Sequence, residues 1–244
     1  MKAFNKTRQR LLGDGRLKRY LLYAFGEIVL VVVGILIALQ LNAWKAEAKD
    51  RGTEQTYLKN LRKDLLLQLE VIDSQNEHEI LKVAQADSAM TYFSSGLSLD
   101  KLEHLLIGRN GLYTRKTFVA NRSTFEDLVS TGNMALIRSA EVKEDLMRYM
   151  QLLEYFTTVI NNNNIVLIDQ QFGENLAGNA LGFTLNADGT LDTMRVLDPG
   201  QRYQLKTLLE RRRLISDQNI DRGTQLKETT GKMIAVLDRV IKPD

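Results

Sequence analysis

The apolar positions fall into two patterns, one continuous and one periodic. From Leu21 to Ala43 the chain reads LLYAFGEIVLVVVGILIALQLNA, and no side chain between Ile28 and Leu39 is polar. A helix rising about 1.5 Å per residue crosses about 30 Å of hydrocarbon in about 20 residues, so the run is long enough to span a bilayer. Soluble strands rarely exceed about 10 residues, which argues against a buried strand. Beyond Trp44 the pattern turns periodic. Leu58, Leu61, Leu65, Leu69, Ile72, Ile80, Val83 and Met90 recur at three- and four-residue spacings or their multiples, as on an amphipathic helix. No proline occurs before Pro199, so the first helix can continue into a long stalk, with Gly52 as its flex point. Gln68 and Asn76 on or beside that stripe make a pure coiled coil less clean.

Further elements follow from caps and breakers. Ser94-Ser95-Gly96 ends the long helix, and Leu97 to Ile107 reads as a short one between Ser98 and Gly108. Tyr113 to Val119 has extended character. Ser123 with Glu126 has capping-box spacing for the next helix, and Gly132 closes it as the C′ residue. Ser139 opens a helix carrying Val142, Leu146, Tyr149, Leu153 and Phe156 on one face. Asn161 to Asn164 suit a bend or an end, after which Ile165 to Leu176 resumes an apolar helical pattern. Residues 180–198 are turn-rich, with Asp188-Gly189 suggesting a small hairpin, and Pro199 opens a last helix. The expected fold is all-α: one N-terminal transmembrane helix running into a helical bundle with a small turn-rich or hairpin insertion. The expected divisions are a basic tail at 1–19, the membrane helix at 20–44, a stalk at 45–96 and the rest of the helical domain at 97–244.

Charge sharpens the topology. Residues 1–19 hold seven basic residues against Asp14, a net +6, so the +3 total leaves the other 225 residues at −3. The basicity is therefore an orientation signal beside the apolar run, not a nucleic-acid footprint. Lys18, Arg19, Tyr20 and Tyr23 at one end, with Asn42 and Trp44 at the other, are the candidate membrane-interface residues. A cleaved signal peptide competes, since Ala46-Glu47-Ala48 imitates a cleavage site, but the apolar stretch exceeds the usual h-region of about 7–15 residues. The reading is an uncleaved signal anchor in the inner (cytoplasmic) membrane, N-terminus inside, C-terminal domain periplasmic.

Within the span, Gly26, Leu30, Gly34 and Ala38 recur every four residues and form a mostly small stripe, with Glu27 beside it. Such stripes let helix backbones approach closely in lipid. Glu27 has two readings: a carboxylate snorkelling to the headgroups, or a charge facing a partner helix. The stretch Tyr20 to Trp44 resembles the opening of an uncharacterised membrane family of Bacteroidota-type bacteria. That family's anchor reads GEI-x-LVV-x-GILIAL-x-x-N-x-W, matched here by Gly26, Glu27, Ile28, Gly34, Asn42 and Trp44. Phe125 to Ile137 is similar to its second block, EL-x-x-SG-x-L-x-x-I. The resemblance implies topology and kinship, and no activity.

Candidate chemistry is sparse. The absence of cysteine excludes disulfides, thiol nucleophiles and cysteine-based metal sites. His78 in Glu77-His78-Glu79 has neighbours about 100° apart on a helix, so the three cannot converge on an ion, and Lys82 at i+4 adds no ligand. His104 reads as surface. Asn186, Asp188 and Asp192 echo a calcium loop but lack its closing glutamate, and a turn accounts for them. Arg211-Arg212-Arg213 follow Glu210 on adjacent faces and read as a solvated surface. No metal, cofactor or catalytic residue is expected. The function expected is a membrane-anchored structural or interaction protein, a homo-oligomer or the accessory subunit of a membrane partner. The alternative is a ligand-sensing helical bundle acting through a partner.

Overall fold

The computed structural model describes residues 16–95, 105–106, 110–172, 187 and 198–242. Among these there is no strand, and the architecture is all-α as expected. Helix α1 spans Arg16–Ser94, α2 Ser123–Ser130, α3 Ala140–Asn163 and α4 Pro199–Val240; a 3₁₀ turn covers Asn133–Leu136. A π-helical segment, Asn164–Phe172, continues α3 directly. The expected hairpin at 180–198 and the cap at Ser98 fall outside the described residues, as does His104. Of the short helix expected at 97–107, only residues 105 and 106 are described, and they are helical.

The chain divides into two compact units, Met1–Glu54 and Gln55–Asp244. In the first, α1 from Leu21 onward is almost entirely exposed, and its most apolar 18-residue window has a mean hydropathy of 2.6 with no part buried. The second unit is a bundle in which α1 (from Gln55), α3 and α4 each bury a seam of alternating three- and four-residue steps. On α1 the buried positions are Leu58, Leu61, Leu65, Gln68, Ile72, Gln75, Glu79, Lys82, Ala86 and Ala89. On α4 they run Leu205, Leu209, Arg212, Ser216, Asn219, Gly223, Leu226, Thr230, Met233 and Leu237. This average of 3.5 keeps one stripe facing its neighbours, as in left-handed bundles.

Three ion pairs set the direction of α4. Arg62–Asp238 (2.5 Å), Asp73–Lys227 (2.6 Å) and Asp87–Arg213 (2.6 Å) step by 11 and 14 residues up α1 and by 11 and 14 down α4. The two helices are therefore antiparallel and in register. Exposed pairs contribute little stability, but here they report alignment. Glu141–Arg239 and Asn163–Asn219 make α3 antiparallel to α4 as well.

Between α1 and α3 runs an irregular segment, residues 114–122, with no helix or sheet to satisfy its backbone. Side chains do so instead. Asn161 accepts from Phe118 N and donates to Phe118 O, both at 3.1 Å, imitating a β-bridge with an amide side chain. Gln68 accepts from Asn121 N (2.7 Å), and Asn164 donates to Lys116 O (2.9 Å). Lys82 Nζ donates to the carbonyls of Asn110 (2.6 Å) and Gly111 (2.8 Å), just ahead of the segment. Buried backbone groups require such partners. Phe118 is thereby held edge-on to Phe156, ring centres 4.7 Å apart.

Local capping matches expectation at three of four places. Ser139 caps α3 by accepting from Val142 N, and Gly132 follows α2 at φ 74° as a C′ glycine. Asp198 and Gln201 form a capping box at Pro199. Ser123 does not cap α2. It is the first helical residue, its hydroxyl sits 3.1 Å from Asp64 Oδ2, and that carboxylate accepts from Thr124 N at 2.9 Å. A long-range carboxylate from α1 therefore replaces the local cap, and Glu126 turns to Arg122 (3.3 Å).

Gly223 leaves room on α4 for a side chain of α1. A Cβ on Gly223 would lie 2.0 Å from Asn76 Oδ1, whereas one on Gly231, also within α4, meets nothing within 4 Å. Gly223→Ala is expected to cost about 1–3 kcal/mol by overpacking. Gly231→Ala should gain about 0.5–1 kcal/mol from helix propensity. Denaturant unfolding of both variants checks the pair; equal shifts would refute the close approach.

Candidate functional site: a buried polar layer

The bundle core is not continuous. One apolar cluster gathers Leu58, Leu61, Leu65 and Ile72 with Phe118, Phe156, Ile160, Leu226, Met233 and others. A second gathers Ala86 and Ala89 with Leu106, Leu112, Leu167, Phe172, Leu205 and Leu209. Between them the three seams turn polar together: Gln75, Glu79 and Lys82 on α1, Asn163 and Asn164 at the end of α3, and Arg212, Ser216 and Asn219 on α4.

Glu79 is the centre of this layer. Its Oε1 accepts from Gln75 Nε2 (3.0 Å) and Asn219 Nδ2 (3.2 Å), and Asn219 in turn accepts from Asn163 Nδ2 (3.2 Å). Its Oε2 faces Arg212 Nη1 at 3.6 Å, with both side chains 2% exposed. That separation is long for a charge-assisted pair, which normally closes to about 2.7–2.9 Å. Arg212 Nε and Nη2, Glu79 Oε2, Ser216 Oγ, Asn76 Oδ1, His78 Nε2 and Arg222 Nη1 are all buried without a hydrogen-bond partner. Burial of Arg212 lowers its pKa, with Glu79 opposing the shift.

Two further groups are tuned by the layer. Burial lowers Lys82 to about 8, Arg212 adding to the shift and Glu79 opposing it. Its ammonium is nevertheless held by two carbonyls and Thr114 Oγ1 (2.8 Å). Burial first, and then the positive charges of Lys82, Arg212 and Lys116, push His78 down to about 4. The imidazole is thus neutral at ordinary pH.

The π-helical segment begins at this level. On α3 the buried positions Val142, Leu146, Tyr149, Leu153, Phe156 and Ile160 keep the alternating steps, but the next is Asn164, one residue late. A π turn accommodates that extra residue, and such insertions are frequent at functional sites. Where it begins, Asn163 reaches α4 and Asn164 reaches the irregular segment.

Sequence reasoning located part of this. Gln68 and Asn76 stood out as polar intrusions. Ile80 and Val83 were expected on the seam; Ile80 is 55% exposed, and Glu79 and Lys82 take the buried positions. Arg212, expected on a solvated face, is buried. The available signal was spacing: continuing the three-four alternation from Leu58 to Ile72 lands on Gln75, Glu79 and Lys82.

The residues proposed in the anchor are a separate matter. Gly26, Glu27, Leu30, Gly34 and Ala38 are all exposed, and a Cβ on either glycine meets nothing within 4 Å. Lys18, Arg19, Tyr23, Asn42 and Trp44 are likewise exposed, while the Tyr20 side chain lies outside the description. A half-open groove of about 330 Å³ between α3 and α4 is floored by Tyr149, Leu152, Met233 and Val236. Its rim cations are already paired, Arg148 with Asp145 and Lys232 with Glu228, each at 2.6 Å. Among the described residues no group of three or more histidine or acidic side chains converges to hold a metal.

These features define a helical-bundle protein with one N-terminal helix long and apolar enough to cross a membrane. The chain belongs to the family of unknown function DUF6090, which it matches over residues 27–190, or 164 of its 244 residues. No curated protein and no solved structure matches it.

Because His78 has a lower pKa folded than the ordinary 6.5, the unfolded chain binds more protons between about pH 6.5 and 4. Stability therefore falls as pH falls through that window, by about 3 kcal/mol at most. His78→Gln should flatten this part of the profile. Urea unfolding of the full chain in mild detergent at pH 7.5 and 4.5 measures it; equal losses in both proteins would refute the assignment.

Proposed function

We propose that the chain is a single-pass inner-membrane protein that presents its helical bundle outside the membrane as a structural or interaction module. The observation that carries this reading is the apolar helix with no part of its most apolar window buried. A core helix would be covered by its own chain, and leaving this much apolar surface in water is unfavourable at about 25 cal/mol per Å². The lipid bilayer covers it. The net +6 of residues 1–19 keeps the N-terminus in the cytoplasm under the positive-inside rule, which directs the bundle to the periplasm.

Association is the role assigned to the anchor's small stripe. Gly26, Leu30, Gly34 and Ala38 have no intramolecular cover, and Glu27 beside them is costly in lipid without a partner. The chain acts as a homo-oligomer or as the accessory subunit of another membrane protein, without catalysis, cofactor or nucleic acid. A ligand-sensing bundle acting through a partner is the second reading, favoured by the buried charges at Glu79, Lys82 and Arg212. A ligand that raises the melting temperature of the full chain would select it.

Two measurements test the first reading. A periplasm-dependent phosphatase fused after Asp244 should be active, and a cytoplasm-dependent fluorescent reporter there should be dark; the reverse pattern sinks the topology. Cross-linking in native membranes should trap a higher-mass species that Gly34→Leu weakens. A lone monomer in both proteins sinks the association.

A further inference from the structure

The buried polar residues of the bundle divide by what they accomplish. Gln68, Lys82, Asn161 and Asn164 hold the backbone of residues 110–122, so their burial has a structural return. Arg212 and Ser216 hold nothing of the kind. Seven of the eight buried side-chain atoms without a partner, among the described residues, belong to residues 76–79 and 212–222. These atoms are buried without a hydrogen bond, and the 3.6 Å ion pair between Glu79 Oε2 and Arg212 Nη1 is too long to supply one. A buried polar group left this way is costly, and a buried charge more so.

The cost is concentrated in the middle of the bundle, between the two apolar clusters. In that stretch α3 changes to a π-helix, and Gly223 leaves room on α4 for the Asn76 side chain. Glu79 and Arg212 stand 3.6 Å apart and would gain hydrogen bonds from water if the helices parted. We propose that this layer is a built-in opening plane. Around Glu79 and Arg212 helices α1 and α4 separate locally and admit water, while the clusters on either side stay packed. The energetics favour this because local opening recovers hydration for several groups at once. Cooperative units of differing stability within one domain are the general form of such behaviour. The inference concerns the second compact unit alone and does not depend on the anchor or its partners.

Hydrogen–deuterium exchange on the full chain in mild detergent tests it. Amides of residues 75–82 and 216–223 should exchange at least about 10-fold faster than those of 58–72 and 226–237, and faster than those of 205–209. Fraying from helix ends would instead give a gradient with no central minimum, and that result, or uniform protection, overturns the proposal. The paired variant Glu79→Met/Arg212→Met removes both charges and should erase the minimum while raising the melting temperature, whereas Arg212→Met alone should lower it. Ser216→Ala, a smaller change, should partly restore protection at 216–223. A paired variant that melts lower than the parent, with Ser216→Ala leaving protection unchanged, overturns the proposal as well.

Discussion

An irregular, half-exposed backbone segment laid against two helices constrains the rest of this bundle, with Phe118 its one buried side chain. Residues 114–122 have no ladder of their own, yet they lie in the groove between α1 and α3. Every inward N–H and C=O there has to find a partner, and only side chains projecting from the helical seams are in reach. Three of these partners are Gln68, Asn161 and Asn164, and Lys82 does the same for the carbonyls of Asn110 and Gly111 just ahead. Each occupies or adjoins a seam position where an apolar residue would contribute more by simple burial. The seam therefore does two jobs with one spacing, burying apolar area and completing hydrogen bonds.

The same constraint explains which parts of the fold were legible in the sequence. Where the seam is purely apolar, as at Leu58, Leu61, Leu65 and Ile72 or Val142 through Phe156, periodicity identified both helix and face. Local chemistry likewise identified Ser139, Gly132 and Pro199, because a cap or a stop depends on neighbours within a few residues. Ser123 failed for the complementary reason: its helix is capped by Asp64, 59 residues away. Beyond Ile72 the apolar residues Ile80 and Val83 lie one position away from the seam carried by Glu79 and Lys82. A hydrophobicity pattern follows the greasy residues, whereas the geometry follows the three-four count. The polar layer was invisible for that reason, since a buried Arg212 is marked only by the unfilled register of its neighbours.

The anchor presents the opposite case, with strong sequence signals and few intramolecular contacts. Its apolar run, basic flank and small stripe were all legible, and the structure adds that none of the described residues covers the apolar run or the small stripe. A helix shaped on all faces for an environment absent from its own fold implies that the environment is supplied from outside. On the proposed reading lipid covers the apolar faces. It would not satisfy Glu27, and that single carboxylate separates an anchor used only for attachment from one that also associates.

On the proposed reading anchor and polar layer share a physical form, since each would hold ionisable groups where hydration is poor. They differ in what relieves the cost. Glu27 lies on an open face, so a basic residue or a polar side chain of another helix can reach it without disturbing the chain. Arg212 and Glu79 are enclosed by their own bundle, so relief requires α1 and α4 to part. A charge that only motion can satisfy makes the layer, not the more exposed anchor, the place where this bundle has a reason to move.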